Sequence, residues 1–477
     1  MSVRQSDFHF PIPEKVQDWG MAHHCYSPVF RPETEKEIRK VFQFASKQKF
    51  FLAFRGGGCS YGDSAINNNG IILDLSNLNK IIDFDPNTGI LNIQSGLSMQ
   101  ALCEFSLERG FWPPVVSSST QATFGGSLSM NIHGKNGFSM GTIGDHVLDF
   151  KLLCPSGNIY SCSREENSEL FHAVIGGMGL LGVILEVRLK LKKIHSSELE
   201  VKTKRTENLE ETLDYFERAE NASDYLYAWV DGFSSGRSTG RGFVFRARHL
   251  EEGEDTSPTR FSIKNHTLGE NFFGLIPRSL IWLFFLPFTN KPGKKALNSF
   301  YYRTQGKEEK THRENCLSFL FTDEKLPNLK YSYKPGSIIQ YHAFVPRQNS
   351  LKVMMQMLHL SRKRGLPPYE CKLEKHRPNK FLFSGSLDGY SLTMDFPLNE
   401  DNQASLTQLT KDFTELLLFN KGKVYLAEDT SLESKTVREM FGEEDIQTLK
   451  QLKNFCDPEN LIQSDLYRRI FSDLLKF

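Results

Sequence analysis

No two of the eight cysteines, at positions 25, 59, 103, 154, 162, 316, 371 and 456, stand at CxxC spacing, so zinc ribbons and dithiol motifs find no support. No metal is expected on that ground, and reduced thiols fit a cytoplasmic setting. An excess of one charge is also missing: 58 Lys and Arg against 57 Asp and Glu leave a net charge of +1. That disfavours nucleic acid as a partner, because phosphate recognition ordinarily shows as a basic surplus. The opening MSVRQSDFHF lacks the apolar stretch of a secretory signal. Short tandem repeats are absent. The apolar run Leu280 to Phe288 (LIWLFFLPF) falls well below the ~20 residues a bilayer span needs, and Pro287 interrupts it. It reads either as a core segment or as a flap against a lipid surface or an apolar substrate tail.

What is present is an ordinary globular balance, 39% hydrophobic and 24% charged, in a chain of 477 residues. That length exceeds what one core usually supports, so about two or three domains are expected. The 38 Phe and 15 Tyr suit a thick core and the walls of a site for a flat ring system. Ile38, Val41, Phe42 and Ala45 recur at helical spacing and predict an amphipathic helix over 33–48. Short strands follow at 50–54, 71–75 and 90–93, with turn residues Asp85, Pro86, Asn87 and Gly89 before the third. Ser98 is placed to cap a helix ending before Gly110. Leu185, Val187, Leu189 and Leu191 alternate with charged residues, the pattern of a strand with one wet face. The charged stretch 192–204 marks a first boundary, and a loop-like stretch covers 251–265. Two strand–helix units follow, with strands at 338–345 and 390–396.

Arg55-Gly56-Gly57-Gly58-Cys59-Ser60-Tyr61 follows a strand, and adjacent glycines let backbone N–H groups converge on a phosphate. The spacing is neither the dinucleotide fingerprint G-x-G-x-x-G nor a P-loop with its lysine. A second loop, Ser117 to Ser127, adds Thr120, Thr123 and the pair Gly125-Gly126. A third, Gly176 to Gly182, runs into the alternating strand with Gly179, Gly182 and Ile184. Three such turns in order suit an extended dinucleotide. Strand alternation puts Gln340 and His342 on one face, and Thr393 and Asp395 on another. If both faces meet a ligand, they form a polar ceiling suited to sugar hydroxyls.

Residues 54–191, with GGGCSYGDSAINNNG (56–70), TFGGSLSMNIHGKN (123–136) and IGGMGLLGVILEV (175–187), resemble the FAD-binding domain of the vanillyl-alcohol-oxidase family. The details, with IIQYHAFVP (338–346), SLTMDFP (391–397), GKVYLAED (422–429) and DPENLIQSDLYRRI (457–470), are most similar to its decaprenylphosphoryl-ribose oxidase branch. The resemblance implies an α+β fold: a two-lobed PCMH-type FAD-binding domain at 1–195, a cap domain of antiparallel sheet backed by helices at 196–420, and a segment at 421–477 returning to the first lobe. It implies FAD, with Arg55 to Tyr61, Thr120, Thr123, Gly125, Gly126, Ser127, His133, Asn136, Gly179, Gly182, Ile184 and Tyr425 around it. Lys135, Gln340, His342, Lys372, Thr393 and Asp395 would meet the substrate. His133, Tyr61, Glu428 and Lys372 are the candidates for catalysis.

Two departures matter. Cys59 stands where some family members attach FAD covalently through His, so it is either an S-linking residue or a small residue packed against phosphate. Glu428 stands where the branch carries an active-site lysine. A cation there favours the reduced ring and a carboxylate opposes it, so either Lys372 compensates, Glu428 serves as a base, or the substrate differs. The expected activity is FAD-dependent oxidation of a secondary hydroxyl on a sugar or lipid-linked sugar, with possible peripheral membrane contact through 280–288. The alternatives are a free alditol or lactone as substrate, or a flavin-binding protein without turnover.

Overall fold

A computed structural model describes residues 10–262, 271–272, 276–304, 306 and 308–475; the first nine residues, the end of the 251–265 loop and Lys307 lie outside them. Helix Glu35–Gln48 begins at Thr34, whose hydroxyl accepts from the Glu37 amide, and buries Ile38, Val41, Phe42 and Ala45 as its spacing dictates. That face packs on a three-stranded parallel sheet in the order Val29–Phe30, Ile71–Asp74, Leu52–Arg55. The strand Leu52–Arg55 delivers the chain into the first glycine loop. Ser98 caps the helix Met99–Leu107 by accepting from the Ala101 amide.

A five-stranded antiparallel sheet lies beside these elements, in the order Ile159–Ser163, Val147–Leu153, Val183–Lys190, Ile90–Gln94, Ile81–Asp85. Along Val183–Lys190 Val187 and Leu189 are buried while Arg188 and Lys190 are exposed. The charged stretch after it is not a free linker: Glu198–Thr206 is a strand of a second sheet. That sheet has eight antiparallel strands, ordered Lys310–Asn315, Glu198–Thr206, Gly242–His249, Tyr225–Val230, Glu370–His376, Gly389–Leu398, Ser337–Pro346, Lys423–Val424. Helices Leu209–Ala219, Ser350–Lys363 and Gln403–Phe419 pack against one face and bury Phe216, Met354, Met357, Leu409 and Phe413. The other face looks onto the glycine loops.

The C-terminal residues fasten to the first lobe. Arg469 is paired with both Asp63 and Asp429, at 2.8 and 2.7 Å. Fully buried Lys453 donates to Asp457 and to the carbonyls of Leu180 and Ile462. The segment 280–288 departs from its core reading. It forms a 3-10 run in which Ile281 is buried, while Leu280, Leu283, Phe284, Leu286 and Phe288 are 40–59% exposed. No described helix is long and apolar enough to cross a membrane.

Candidate active site

A cavity of about 990 Å³ runs between the glycine loops and the open face of the eight-stranded sheet. Its floor is Arg55 to Tyr61, the loop 117–127, and the turn at Met178, Gly179, Gly182 and Ile184. The two N-terminal loops interlock. A Cβ on Gly57 would stand 1.9 Å from the carbonyl oxygen of Gln121, and one on Gly56 would meet the Thr123 hydroxyl at 2.0 Å. Gly58, at φ +65°, turns the chain where a side chain would be strained.

Strand register builds the ceiling. Gln340 lies opposite Asp395, and Asp395 opposite Glu370; His342 lies opposite Thr393, and Thr393 opposite Lys372. Directly opposed residues share a face, so the alternation at 340/342 and 393/395 becomes one polar grid. Glu370 and Glu374, two residues either side of Lys372, line the cavity on the same strand, as do Tyr227 and Trp229 on the next. Glu-x-Lys-x-Glu at 370–374 was the period-two signal that could have found them.

Sixteen of the eighteen expected flavin contacts, Arg55 through Tyr61, Thr123, Gly125, Gly126, Ser127, Gly179, Gly182, Ile184, His133 and Tyr425, wall the cavity. So do Lys135, Gln340, His342, Lys372, Thr393, Asp395 and Glu428. Two expected contacts do not. Thr120 is not among the lining residues, and its carbonyl accepts from the Gln100 amide. Asn136 is buried and donates to the Pro114 carbonyl, so it holds the loop rather than a ligand. Lys135 is anchored by the Phe319 and Leu320 carbonyls, at 2.7 and 3.0 Å, and lies over the Tyr227 ring. The Tyr425 hydroxyl donates to the Met130 carbonyl.

Where the loop meets the sheet, ionisable groups crowd together. His133 contacts the rings of His342, His376, Phe344 and Tyr425 edge-on at 4.8–5.3 Å, and its Nε2 lies 3.5 Å from a Glu374 oxygen. Burial pushes His133 and His342 down to about 4, leaving both neutral near pH 7. Burial pushes the carboxyls of Glu428 and Asp395 up to about 7. His342 Nδ1 sits 2.9 Å from Glu428 Oε2, and Asp395 accepts from the Gln340 amide at 2.6 Å. Donor atoms of His133, Glu374 and His376 lie within 4.8 Å of one another, and His376 Nε2 meets the Ser391 hydroxyl at 2.7 Å.

The floor fits a dinucleotide cofactor on its own evidence. Arg55 Nη1, Ser64 Oγ and Ser127 Oγ are buried on its wall with no hydrogen-bond partner among the described residues, three donors awaiting acceptors. Residues 27–163 match the family described as FAD binding domain. End to end, the chain is 26% identical to the decaprenylphosphoryl-beta-D-ribose oxidase of Mycolicibacterium smegmatis, over 98% of this chain and 99% of that one. The chain is an FAD-dependent oxidoreductase, similar end to end to the decaprenylphosphoryl-ribose oxidase branch of the vanillyl-alcohol-oxidase family. This oxidoreductase also matches the L-gulonolactone oxidase of Bos taurus, 27% identical over 45% of this chain and 48% of that one. With the L-galactono-1,4-lactone dehydrogenase of Arabidopsis thaliana it shares 26% identity over 39% and 31%. Its cofactor is FAD, and it acts on CH–OH groups. Arg55, Gly56 to Ser60, Ser64, Gly125 to Ser127 and Gly179 to Ile184 are the residues that would hold the cofactor.

Proposed function

We propose that this oxidoreductase oxidises a secondary hydroxyl of a sugar, carried free or on a lipid. The observation that carries the reading is the polar grid of Gln340, His342, Lys372, Thr393 and Asp395, held over the flavin floor with an apolar mouth beside it. Alternating acceptors and donors match a ring of hydroxyls. Phe285, Phe288, Leu297 and Phe300 at the mouth match an aliphatic chain. The relatives' names, a ribose lipid oxidase and two lactone enzymes, belong to the same chemical neighbourhood.

FAD, when bound, would supply a hydride acceptor, chemistry that no side chain provides. The protein's share is to hold the carbinol carbon over the ring, take up the hydroxyl proton and keep water out. Tyr61 and His133 both line the cavity, and neutral His133 presents a hydrogen-bonding imidazole without adding charge. Lys372 supplies positive charge on the wall that holds Asp395 and Glu428. In this reading the exposed 280–288 flap meets a membrane surface or the lipid part of the substrate.

The test is anaerobic bleaching of the yellow protein by a panel of aldoses, alditols, aldonolactones and a polyprenyl-phosphoryl pentose. Bleaching by sugars, strongest with the lipid-linked one, is the expected result. Preference for alditols or lactones moves the assignment to a small free alcohol, and a flavin that no member bleaches overturns it.

A further inference from the structure

Alcohol oxidation needs somewhere for the hydroxyl proton to go, and the cavity holds a pair of residues built to receive it. Glu428 lies in the turn after strand Lys423–Val424, with its side chain 19% exposed to the cavity. His342, on strand Ser337–Pro346, is almost wholly buried, stacked 4.9 Å from Phe344 with rings 8° from parallel. Its Nδ1 meets Glu428 Oε2 at 2.9 Å, while its Nε2 is buried with no hydrogen-bond partner among the described residues. That orphan assigns the tautomer. An unpartnered N–H in a dry site costs more than an unpartnered lone pair, so the proton sits on Nδ1 and is donated to the carboxylate.

We propose that Glu428 is the catalytic base for the hydroxyl and that His342 is the positioning residue that aims it and steadies its ionised form. This rests on the oxidation of an alcohol stated above and assigns the proton's destination within it. The balance is simple. The O–H bond breaks toward Glu428, the C–H bond gives its hydride to the flavin, and a carbon–oxygen double bond forms. Two electrons leave the alcohol for the flavin, and the carboxyl holds the proton until solvent removes it.

The surroundings poise the carboxyl for this work. His133 on the loop, Asp395 on the strand next to that of His342, Lys372 and Glu374 on the strand beyond it, and Tyr425 in its own turn all interact with it electrostatically. Lys372 favours its anion and Glu374 opposes it, so burial dominates and lifts Glu428 to about 7. A base must be deprotonated, so the reaction should rise with pH through that region and then level.

Two measurements on the FAD-loaded enzyme test this. The first uses ¹⁵N-histidine NMR without substrate, with the His342 resonance identified by its loss in His342→Phe. It should remain a neutral, Nδ1-protonated imidazole and shift with a midpoint near that of Glu428, and Glu428→Gln should abolish the shift. A His342 signal indifferent to Glu428→Gln overturns the pairing. The second follows anaerobic flavin bleaching against pH with the best alcohol of the panel. Glu428→Gln should slow it about 10²–10⁴-fold with FAD retained and remove the inflection. His342→Phe, which keeps the ring stack but removes the donor, should move the inflection to higher pH, and His342→Asn should restore it. Unchanged bleaching in Glu428→Gln overturns the base. An inflection unmoved in His342→Phe reduces that residue to packing. If no alcohol bleaches the flavin, the assigned substrate class falls while the NMR titration still decides the pair.

Discussion

At the scale of single residues, the site depends on atoms that are missing as much as on those present. Gly57 has no Cβ, and the space one would need is filled by the Gln121 carbonyl oxygen at 1.9 Å. That neighbour is backbone and cannot swing aside. Gly57→Ala should therefore part the two floor loops at a cost of about 1–3 kcal/mol. Because 1.4 kcal/mol is tenfold in affinity, FAD retention should weaken about tenfold or more, read as the flavin absorbance remaining after gel filtration. Cys59 carries the opposite lesson. Its thiol lies 3.5 Å from the Ser119 hydroxyl, both on the cavity wall, so a small residue fits the packing there. Glu428 shows how one side chain changes its meaning with its neighbours. Read alone it opposes a reduced flavin, but paired with buried His342 it is a proton acceptor.

At the scale of elements, period and burial agree wherever an element is amphipathic in its own right. Helix Glu35–Gln48 and strand Val183–Lys190 bury the faces their spacing predicts, because helical and strand periodicities are local properties of the chain. The run 280–288 shows where this fails. Its composition is that of a core, yet it lies at the cavity mouth with Phe284 59% exposed. Hydrophobicity states that burial is favourable but not what provides it, and here the fold leaves most of the run exposed. Exposed Lys291 and Lys295 follow it directly. Replacing Leu283 and Phe284 together by Ser should change stability by no more than about 0.5 kcal/mol per site, as for other surface positions. The same variant should lose much of its cosedimentation with phosphatidylglycerol vesicles. Equal sedimentation of variant and parent would remove the membrane role.

At the scale of the whole molecule, the two ends of the chain are joined at the floor of the site. Arg469 spans Asp63, just past the first glycine loop, and Asp429, beside Glu428. Asp63 and Asp429 are buried, and removing the cation leaves two carboxylates unpaired in a dry place. Arg469→Leu should cost about 3–5 kcal/mol in a denaturant melt, with early loss of FAD. Asp63→Asn combined with Asp429→Asn in that background should recover part of the stability. A melt unchanged by Arg469→Leu would show that the C-terminal segment is held by its apolar contacts alone.

By itself the sequence determined what depends on neighbours in the chain. The glycine loops are legible because only glycine admits the close approach they make, and the strand that feeds each is legible from a few apolar residues before it. The faces of Gln340 with His342, and of Thr393 with Asp395, follow from alternation alone. Register and closure belonged to the tertiary structure. Only strand pairing sets Gln340 against Asp395 and His342 against Thr393, and adds Glu370 and Glu374 to the same wall. Thr120 and Asn136 lie in the right loops but do not line the cavity, because loop side-chain placement is set by packing rather than period. The bond between His342 and Glu428 joins residues 86 positions apart, a distance over which no periodicity carries information and only the folded chain brings the atoms within 2.9 Å.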